Sequence, residues 1–228
     1  MLVLGIDTSG KSGGITLAEG DSETFRVLDS AAIAGGTFSA QLVPTLAALL
    51  EKHGFAAKDI GGFAVASGPG SFTGLRVGLS ALKGLAEVLG KPIAAVSVLE
   101  ALATLSPESG SVTVALDAGR KEVFWGLYQL SGGTATRVAE ELLAQSEFVQ
   151  QLRDGNVRPI ITTDVSLGEL AASAGANARL RLVERRGSEL IARVGLRKLL
   201  AGETVSVDAL DANYIRRSDA EIFFKGKP

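Results

Sequence analysis

Two stretches of the chain share one pattern, in which a short apolar run ends in aspartate and small residues follow it. The first stretch is Val3–Ser9 and the second is Thr113–Gly119. Each run predicts a buried strand, and the apolar residues that follow at 13–18 and 122–130 predict a returning strand. Because each copy also begins a predicted domain, we interpret the pattern as a duplicated architecture whose two domains face each other across a cleft.

Helix and strand patterns alternate along the chain. Leucines recur on one face of residues 39–53, with Ser39 as the expected N-cap, and a second helix is predicted over 72–89. Strands that alternate with helices are typical of the α/β class with parallel pairing. A change of composition near residue 106 predicts two domains, 1–106 and a smaller one of 107–228. As a further hypothesis, residues 187–228 pack back on the first domain.

The composition limits the functions that the chain can have. Its formal net charge of −2 gives no general attraction to nucleic acid or to anionic lipid. The absence of cysteine excludes disulfides and thiolate metal sites. No run approaches about 18 consecutive apolar residues, and the first residues lack the basic start of a signal peptide. We therefore expect a cytoplasmic chain.

The segment Gly68–Gly78 is the most distinctive of the sequence, and it leads into the predicted helix 72–89. Three glycines, Gly74, Gly78 and Gly84, lie inside that helix. Each costs about 0.5–1 kcal/mol relative to alanine, so a compensating contact is expected. Three interpretations are open at this point: close packing within the chain, most simply against the preceding helix, close packing against a partner chain, or anion binding by backbone amides.

Few side chains are candidates for chemistry. His53 is the one histidine, which is too few for a paired-histidine metalloprotease site, and we expect it in the last turn of a helix. Asp7 and Asp117 are candidates either for binding phosphate and metal or for bracing their own turns. A phosphotransferase of the sugar-kinase type is the alternative function. Its weak candidate adenosine loop, Gly132–Thr134, is more simply a hairpin loop.

Several segments together resemble one family. Ile6–Ser9, Gly68–Gly78 and Leu116–Phe124 match its motifs in combination. Asn213–Arg216 resembles its closing Pro/Asn-x-Tyr-hydrophobic-Arg pattern, with Asn213 directly before Tyr214. The chain resembles the TsaB (YeaZ) family over nearly its whole length, most strongly over residues 1–128. One position departs from the pattern, since Phe38 stands where many members carry histidine. Any role of that histidine is dispensable or differently filled here.

The resemblance implies two tandem actin-like ATPase (ASKHA, ribonuclease-H-like) domains, the second degenerate. It implies a non-catalytic subunit of the bacterial complex that makes N6-threonylcarbamoyladenosine in tRNAs reading codons that start with A. TsaD is the expected heterodimer partner, TsaE joins them, and the chain forms a homodimer when alone. Contact with tRNA is expected only through the complex. No catalytic residue, metal site or cofactor of its own is expected, with ATP or ADP and magnesium at a junction with partners.

The family's pairing surface maps onto the predicted helices 39–53 and 72–89, which favours the partner interpretation of the glycines. The residues expected to bind the partner are Leu42, Thr45, Leu46, Ser71, Phe72, Thr73, Gly74, Arg76, Val77, Gly78, Ala81 and Leu85. A degenerate nucleotide site is expected at Asp7, Thr8, Ser9, Asp117 and Gly119. Basic residues that form either solvated faces or a peripheral tRNA contact are Arg179, Arg181, Arg185, Arg186, Arg216, Arg217, Lys225 and Lys227.

Overall fold

The computed structural model describes residues 1–153, 159–175, 180–184, 187–213 and 215. Its chain forms two compact units, the first comprising Met1–Ala101 and Arg186–Ala212 and the second Leu102–Arg185 and Asn213–Pro228. We expected the domain boundary after residue 106, and the structure divides the two units after Ala101. Of the segment 187–228, residues up to Ala212 lie in the first unit, and Asn213 lies in the second.

The first unit is built on a five-stranded mixed sheet. Its strands are β1 (Leu2–Asp7), β2 (Ser12–Gly20), β3 (Phe25–Ala34), β4 (Gly62–Gly68) and β5 (Ile93–Ser97). In the order β3-β2-β1-β4-β5, the first three strands pair antiparallel and the last three pair parallel. Leu4 and Ile6 of β1 turn toward one face of the sheet and Gly5 toward the other, because successive strand residues alternate.

Three helices follow the strands of this unit: α1 (Phe38–Lys52), α2 (Phe72–Leu89) and α3 (Val98–Ala103). The leucine face predicted for α1 is confirmed, since it is buried in the core that also holds Leu4 and Ile6. The N-cap prediction for α1 was wrong. Thr37 is the N-cap, because its carbonyl accepts from the amides of Ala40 and Gln41.

The second unit repeats the same topology. Its strands are β6 (Gly110–Gly119), β7 (Glu122–Ser131), β8 (Thr134–Ala144), β9 (Ile160–Thr162) and β10 (Leu180–Leu182). The order β8-β7-β6-β9-β10 again joins three antiparallel strands to three parallel ones. The duplicated architecture is thereby confirmed. Gly132 and Gly133 form the β7–β8 hairpin turn, with φ of 56° and 74°.

The helices of the second unit, α4 (Gln145–Arg153) and α5 (Val165–Ser173), have nine residues each. Their counterparts α1 and α2 have 15 and 18 residues, so the second copy is the reduced one. In this unit, the carboxylate of Glu140 accepts hydrogen bonds from the Tyr128 hydroxyl and from Asn213 Nδ2, the latter at 2.6 Å. The bond from Asn213 connects the start of the C-terminal segment to β8.

The last helix, α6 (Gly187–Leu200), returns to the first sheet and covers the face opposite α1 and α2. The approach is close because small residues meet. A β-carbon at Gly5 would lie 2.6 Å from Cβ of Ala192, and one at Gly195 would lie 2.1 Å from Cβ of Ala64. The first sheet is therefore enclosed by helices on both faces. No helix in the described ranges has the length and apolar character to cross a membrane.

Candidate functional site

The β1–β2 turn, residues 8–11, follows the first of the repeated aspartates. Asp7 is 2% exposed, and its Oδ1 accepts hydrogen bonds from the Ser9 amide at 2.8 Å and from the Ser9 hydroxyl at 2.5 Å. The carbonyl of Ser9 accepts a hydrogen bond from the Ser71 amide at 2.7 Å. The turn is thus braced by its own aspartate and tied to the residue that precedes α2.

The other carboxylate oxygen of Asp7 faces the start of α6. A β-carbon at Gly187, the first residue of α6, would lie 2.8 Å from Oδ2. The amino end of a helix carries partial positive charge, so a buried carboxylate is stabilised there. This carboxylate is therefore buried and engaged by its own chain.

The second repeated aspartate braces its turn in the same way. Asp117 Oδ1 accepts from the Gly119 amide at 2.8 Å, as Asp7 Oδ1 does from Ser9. The Asp117 amide in turn donates to Asp164 Oδ2 at 2.7 Å. Asp117 and Gly119 are exposed, unlike Asp7. Asp7, Thr8 and Ser9 belong to the first unit, whereas Asp117 and Gly119 belong to the second.

The glycines of α2 have an explanation within the chain. A β-carbon at Gly74 would lie 2.1 Å from the Thr8 carbonyl oxygen, and one at Gly78 would lie 2.3 Å from Thr8 Oγ1. A β-carbon at either position would force Thr8 or the helix to shift, which accounts for glycine at both positions. Packing within the chain therefore accounts for Gly74 and Gly78, and their contact with a partner stays a prediction. The internal contact is with the β1–β2 turn, whereas the sequence had suggested the preceding helix.

A different edge of α2 is open. Val77, Ala81, Gly84, Leu85 and Val88, here called the α2 strip, lie on successive turns and share one side of the helix. Val77, Ala81 and Leu85 are partly buried against the core, and Gly84 and Val88 are exposed. Gly84 has no atom within 4 Å of a β-carbon built there, and Val88 is 84% exposed. Small apolar groups on an exposed helix edge are suited to close contact with another chain.

Comparison with known proteins identifies the family. The family model "TsaD: tRNA N6-adenosine threonylcarbamoyltransferase" matches residues 32–166. The tRNA threonylcarbamoyladenosine biosynthesis protein TsaB of Bacillus subtilis is 31% identical over 230 residues, which cover 97% of this chain and 96% of that protein. This chain belongs to the TsaB (YeaZ) family.

Solved structures agree with the actin-like fold of a TsaB-family chain. YeaZ from Pseudomonas aeruginosa is 24% identical with a TM-score of 0.70, and the match covers 93% of this chain and 100% of that one. A ROK hexokinase from Thermus thermophilus is 12% identical with a TM-score of 0.52 over 87% of this chain and 100% of that one. Both likenesses concern the fold alone.

Phe38, the departure from the TsaB-family pattern, has a structural role. It is the first residue of α1, is 6% exposed, and lies in the core of the first unit. A β-carbon at Gly13 would lie 2.8 Å from Cε1 of its ring. The ring therefore packs at the junction of α1 and β2 and makes an apolar contact there.

The remaining residues expected to bind the partner fall into two groups. Leu42 and Leu46 are 1% and 4% exposed and belong to the core, so their assignment to the surface was wrong, because the leucine face of α1 covers the sheet. The others retain exposure around the start of α2 or between the helices: Thr45, Ser71, Phe72, Thr73, Arg76, Val77, Ala81 and Leu85.

Two of these residues also stabilise α2 itself. Ser71 is the N-cap of α2, and its Oγ accepts from the Gly74 amide at 3.2 Å. The Arg76 guanidinium lies 3.8 Å from the centre of the Phe72 ring, one turn away. The sequence prediction did not include Val88 among the contact candidates, although its spacing from Ala81 was visible.

The other predicted groups are placed as follows. His53 lies at the C-cap of α1, as expected, with Nε2 3.0 Å from Asp29 Oδ2. Within the described ranges, no three His, Cys, Asp or Glu side chains are grouped so that they could hold a metal ion. Arg181 is exposed on β10. The other basic residues of the two clusters lie outside the described residues: Arg179, Arg185, Arg186, Arg216, Arg217, Lys225 and Lys227.

Proposed function

We propose that this chain is a non-catalytic subunit of the bacterial machinery that makes N6-threonylcarbamoyladenosine in tRNA, and that it acts by pairing with TsaD through α1 and α2. The observation that carries the proposal is the α2 strip. It is a partly exposed apolar edge of a helix whose other side packs tightly on the first unit. Gly84 and Val88 are exposed there, and Val77, Ala81 and Leu85 are partly buried.

The surface beside the strip is of the same kind. On α1, which packs against α2, Val43 is 52% exposed, and Ala40, Ala47 and Ala48 are also exposed. Short side chains allow two helix backbones to approach closely. Because such side chains have few rotamers, they lose little conformational entropy on association. The two helices thus offer an apolar platform suited to helices of a related fold.

The family supports the choice of partner. The TsaD model matches more than half of the chain, which is consistent with two related folds that pair with each other. TsaE is proposed to join this pair, and tRNA to be bound through the complex. The proposed role places the chain in the cytoplasm, where bacterial tRNA is modified.

Asp7 supports the non-catalytic part of the proposal. An actin-like ATPase needs its first aspartate to face a nucleotide, whereas Asp7 is 2% exposed and turned to Ser9 and Gly187. We therefore propose that ATP or ADP and magnesium bind at a junction with the partners. As a test of the phosphotransferase alternative, the purified chain is incubated with ATP, magnesium and sugars, and no phosphoryl transfer above background is expected. Turnover that disappears in Asp7→Ala would establish the alternative.

The pairing proposal is tested by placing a charge on the strip. Val88→Glu should weaken binding to TsaD of the same organism by about tenfold or more, because a carboxylate must then be desolvated at the interface. Since Val88 is 84% exposed, the variant should fold normally. Val165→Glu is the matched control, an exposed valine of the second unit that is 61% exposed. Isothermal titration calorimetry gives both affinities.

The same variants test the wider role. A mixture of TsaD, TsaE, tRNA and threonylcarbamoyl-AMP should form the modified nucleoside only when this chain is added. Val88→Glu should reduce the yield, and Val165→Glu should not. Sedimentation should show a homodimer for the wild type alone, which Val88→Glu dissociates. Equal affinity of both variants for TsaD would contradict the pairing surface, and modification without the chain would contradict the function.

A further inference from the structure

One polar group in the first unit is buried without a hydrogen bond. Thr8 is 1% exposed, and among the buried side-chain atoms of the described residues only its Oγ1 has no partner. The hydroxyl points at Gly78 of α2, where a β-carbon would lie 2.3 Å from Oγ1 and 3.4 Å from Thr8 Cβ. Desolvating a hydroxyl without a hydrogen bond is costly, so the position of this side chain calls for an explanation.

The residues around Thr8 are in close steric contact with the start of α2. A β-carbon at Gly74 would meet the Thr8 carbonyl oxygen at 2.1 Å, and one at Gly70 would meet the Ser9 carbonyl oxygen at 2.3 Å. The start of α2 and the residue two before it therefore lie directly against Thr8 and Ser9 of the turn. Since a helix moves as a rigid rod over a few turns, a displacement at Gly78 also displaces residues 81–88.

We propose that Thr8 positions α2, and with it the α2 strip, by filling the space that a side chain at residue 78 would need. Thr8 is a positioning residue that acts through Gly78 and does not touch the partner. The inference rests on the proposed function, because the position of the α2 strip relative to the rest of the first unit affects function only when a partner binds the strip. It adds that the β1–β2 turn, a nucleotide-site element by its pattern, serves as the support of the pairing helix.

The test uses the complementary volumes of the two residues. Gly78→Ala should lift α2 and weaken binding to TsaD by about tenfold or more. Thr8→Ala removes Oγ1 and Cγ2, after which the nearest atom to a β-carbon at residue 78 is Thr8 Cβ at 3.4 Å. The double variant Thr8→Ala/Gly78→Ala should therefore recover affinity to within about threefold of the wild type, as a coupled pair does in a double-mutant cycle.

A control separates positioning from a general loss of stability. Val96 is fully buried on β5 and lies on the face of the sheet that α6 covers, 3.7 Å from a β-carbon built at Gly195. Val96→Ala should lower the melting temperature and leave the affinity for TsaD unchanged. Affinity that simply follows the melting temperature across all variants would overturn the proposal.

The outcomes also distinguish this inference from the proposed function. A wild-type chain that does not bind TsaD refutes the proposed function, whatever the variants do. A wild-type chain that binds, together with Gly78→Ala of equal affinity, refutes the positioning role of Thr8. Where Gly78→Ala does not fold, the double variant decides: affinity near the wild type supports the role, and affinity more than about tenfold weaker overturns it.

Discussion

The carboxylate of Asp7 lies against Gly187, so close that a β-carbon on that glycine would be 2.8 Å from Oδ2. Residues far apart in the chain thus meet where the first strand ends and α6 begins. The aspartate that the repeated pattern marks as a phosphate-site candidate lies at the start of the returning helix. Its partner in the pattern, Asp117, is exposed and braces only its own turn and strand end.

Because Asp7 is buried and Asp117 is exposed, we expect replacement by asparagine to lower the free energy of unfolding more at residue 7 than at residue 117. Asp7→Asn should lower the free energy of unfolding by about 1–3 kcal/mol, because a buried charge-assisted network loses its charge. Asp117→Asn should lower it by no more than about 0.5 kcal/mol, since its surroundings are solvated. Urea unfolding of the two variants measures both. Equal effects would show that Asp7 does not anchor α6.

The glycines of α2 give a second matched pair. Gly84→Ala should raise the free energy of unfolding by about 0.5–1 kcal/mol, because alanine favours a helix and the site is open. Gly78→Leu should lower it by about 3 kcal/mol or more, since the side chain would overlap Thr8 Oγ1. Thermal unfolding followed by circular dichroism should show a higher melting temperature for Gly84→Ala and a lower one for Gly78→Leu. A stable Gly78→Leu variant would show that the contact with Thr8 does not restrict residue 78.

Because the Thr8 hydroxyl is buried without a hydrogen bond, we expect an apolar substitution at this position to stabilise the fold. Thr8→Val replaces the unpartnered Oγ1 by a methyl group of similar size and removes the cost of desolvating it. The free energy of unfolding should rise by about 1 kcal/mol. Thr16→Val is the control, because Thr16 Oγ1 bonds to Ser188 Oγ at 2.8 Å and to Ser30 Oγ at 2.9 Å, so this variant should be destabilised. Destabilisation by Thr8→Val would mean that the hydroxyl has a hydrogen-bond partner.

The order of helices and strands in the first unit was accessible from the sequence because local patterns dominate there. The helix predicted over 72–89 is found at Phe72–Leu89, with Gly90 in the left-handed conformation at its end. The duplicated hairpins were visible because both aspartates make the same turn. In the second unit β8, α5 and β10 were not predicted, since β8 lacks a strict alternation of apolar and polar residues and α5 and β10 have only nine and three residues.

The contacts of the glycines could not be derived from the sequence. A glycine within a helix indicates a close approach but not which residue approaches. Thr8 is separated from Gly78 along the chain by β2, β3, α1, β4 and the loops that connect them. The burial of Leu42 and Leu46 follows from the helical pattern, so placing them on the pairing surface overlooked a signal that was present. The α2 strip requires the structure, because Val77 and Leu85 differ from core residues only in partial exposure.

The end of α1 predicts a dependence of stability on pH. Asp29 accepts hydrogen bonds from Lys52 Nζ at 2.6 Å and from His53 at 3.0 Å, and these hold its pKa well below the ordinary 3.8. Because the folded state keeps the charge to lower pH than the unfolded chain, the stabilisation is complete above about pH 5 and is lost as the pH falls through the lowered pKa. Asp29→Asn should therefore be less stable than the wild type at pH 6, and the difference should shrink below about pH 4. Urea midpoints across this range measure it, with Glu51→Gln as a control for net charge. A difference that grows on acidification would contradict the ion pair as its source.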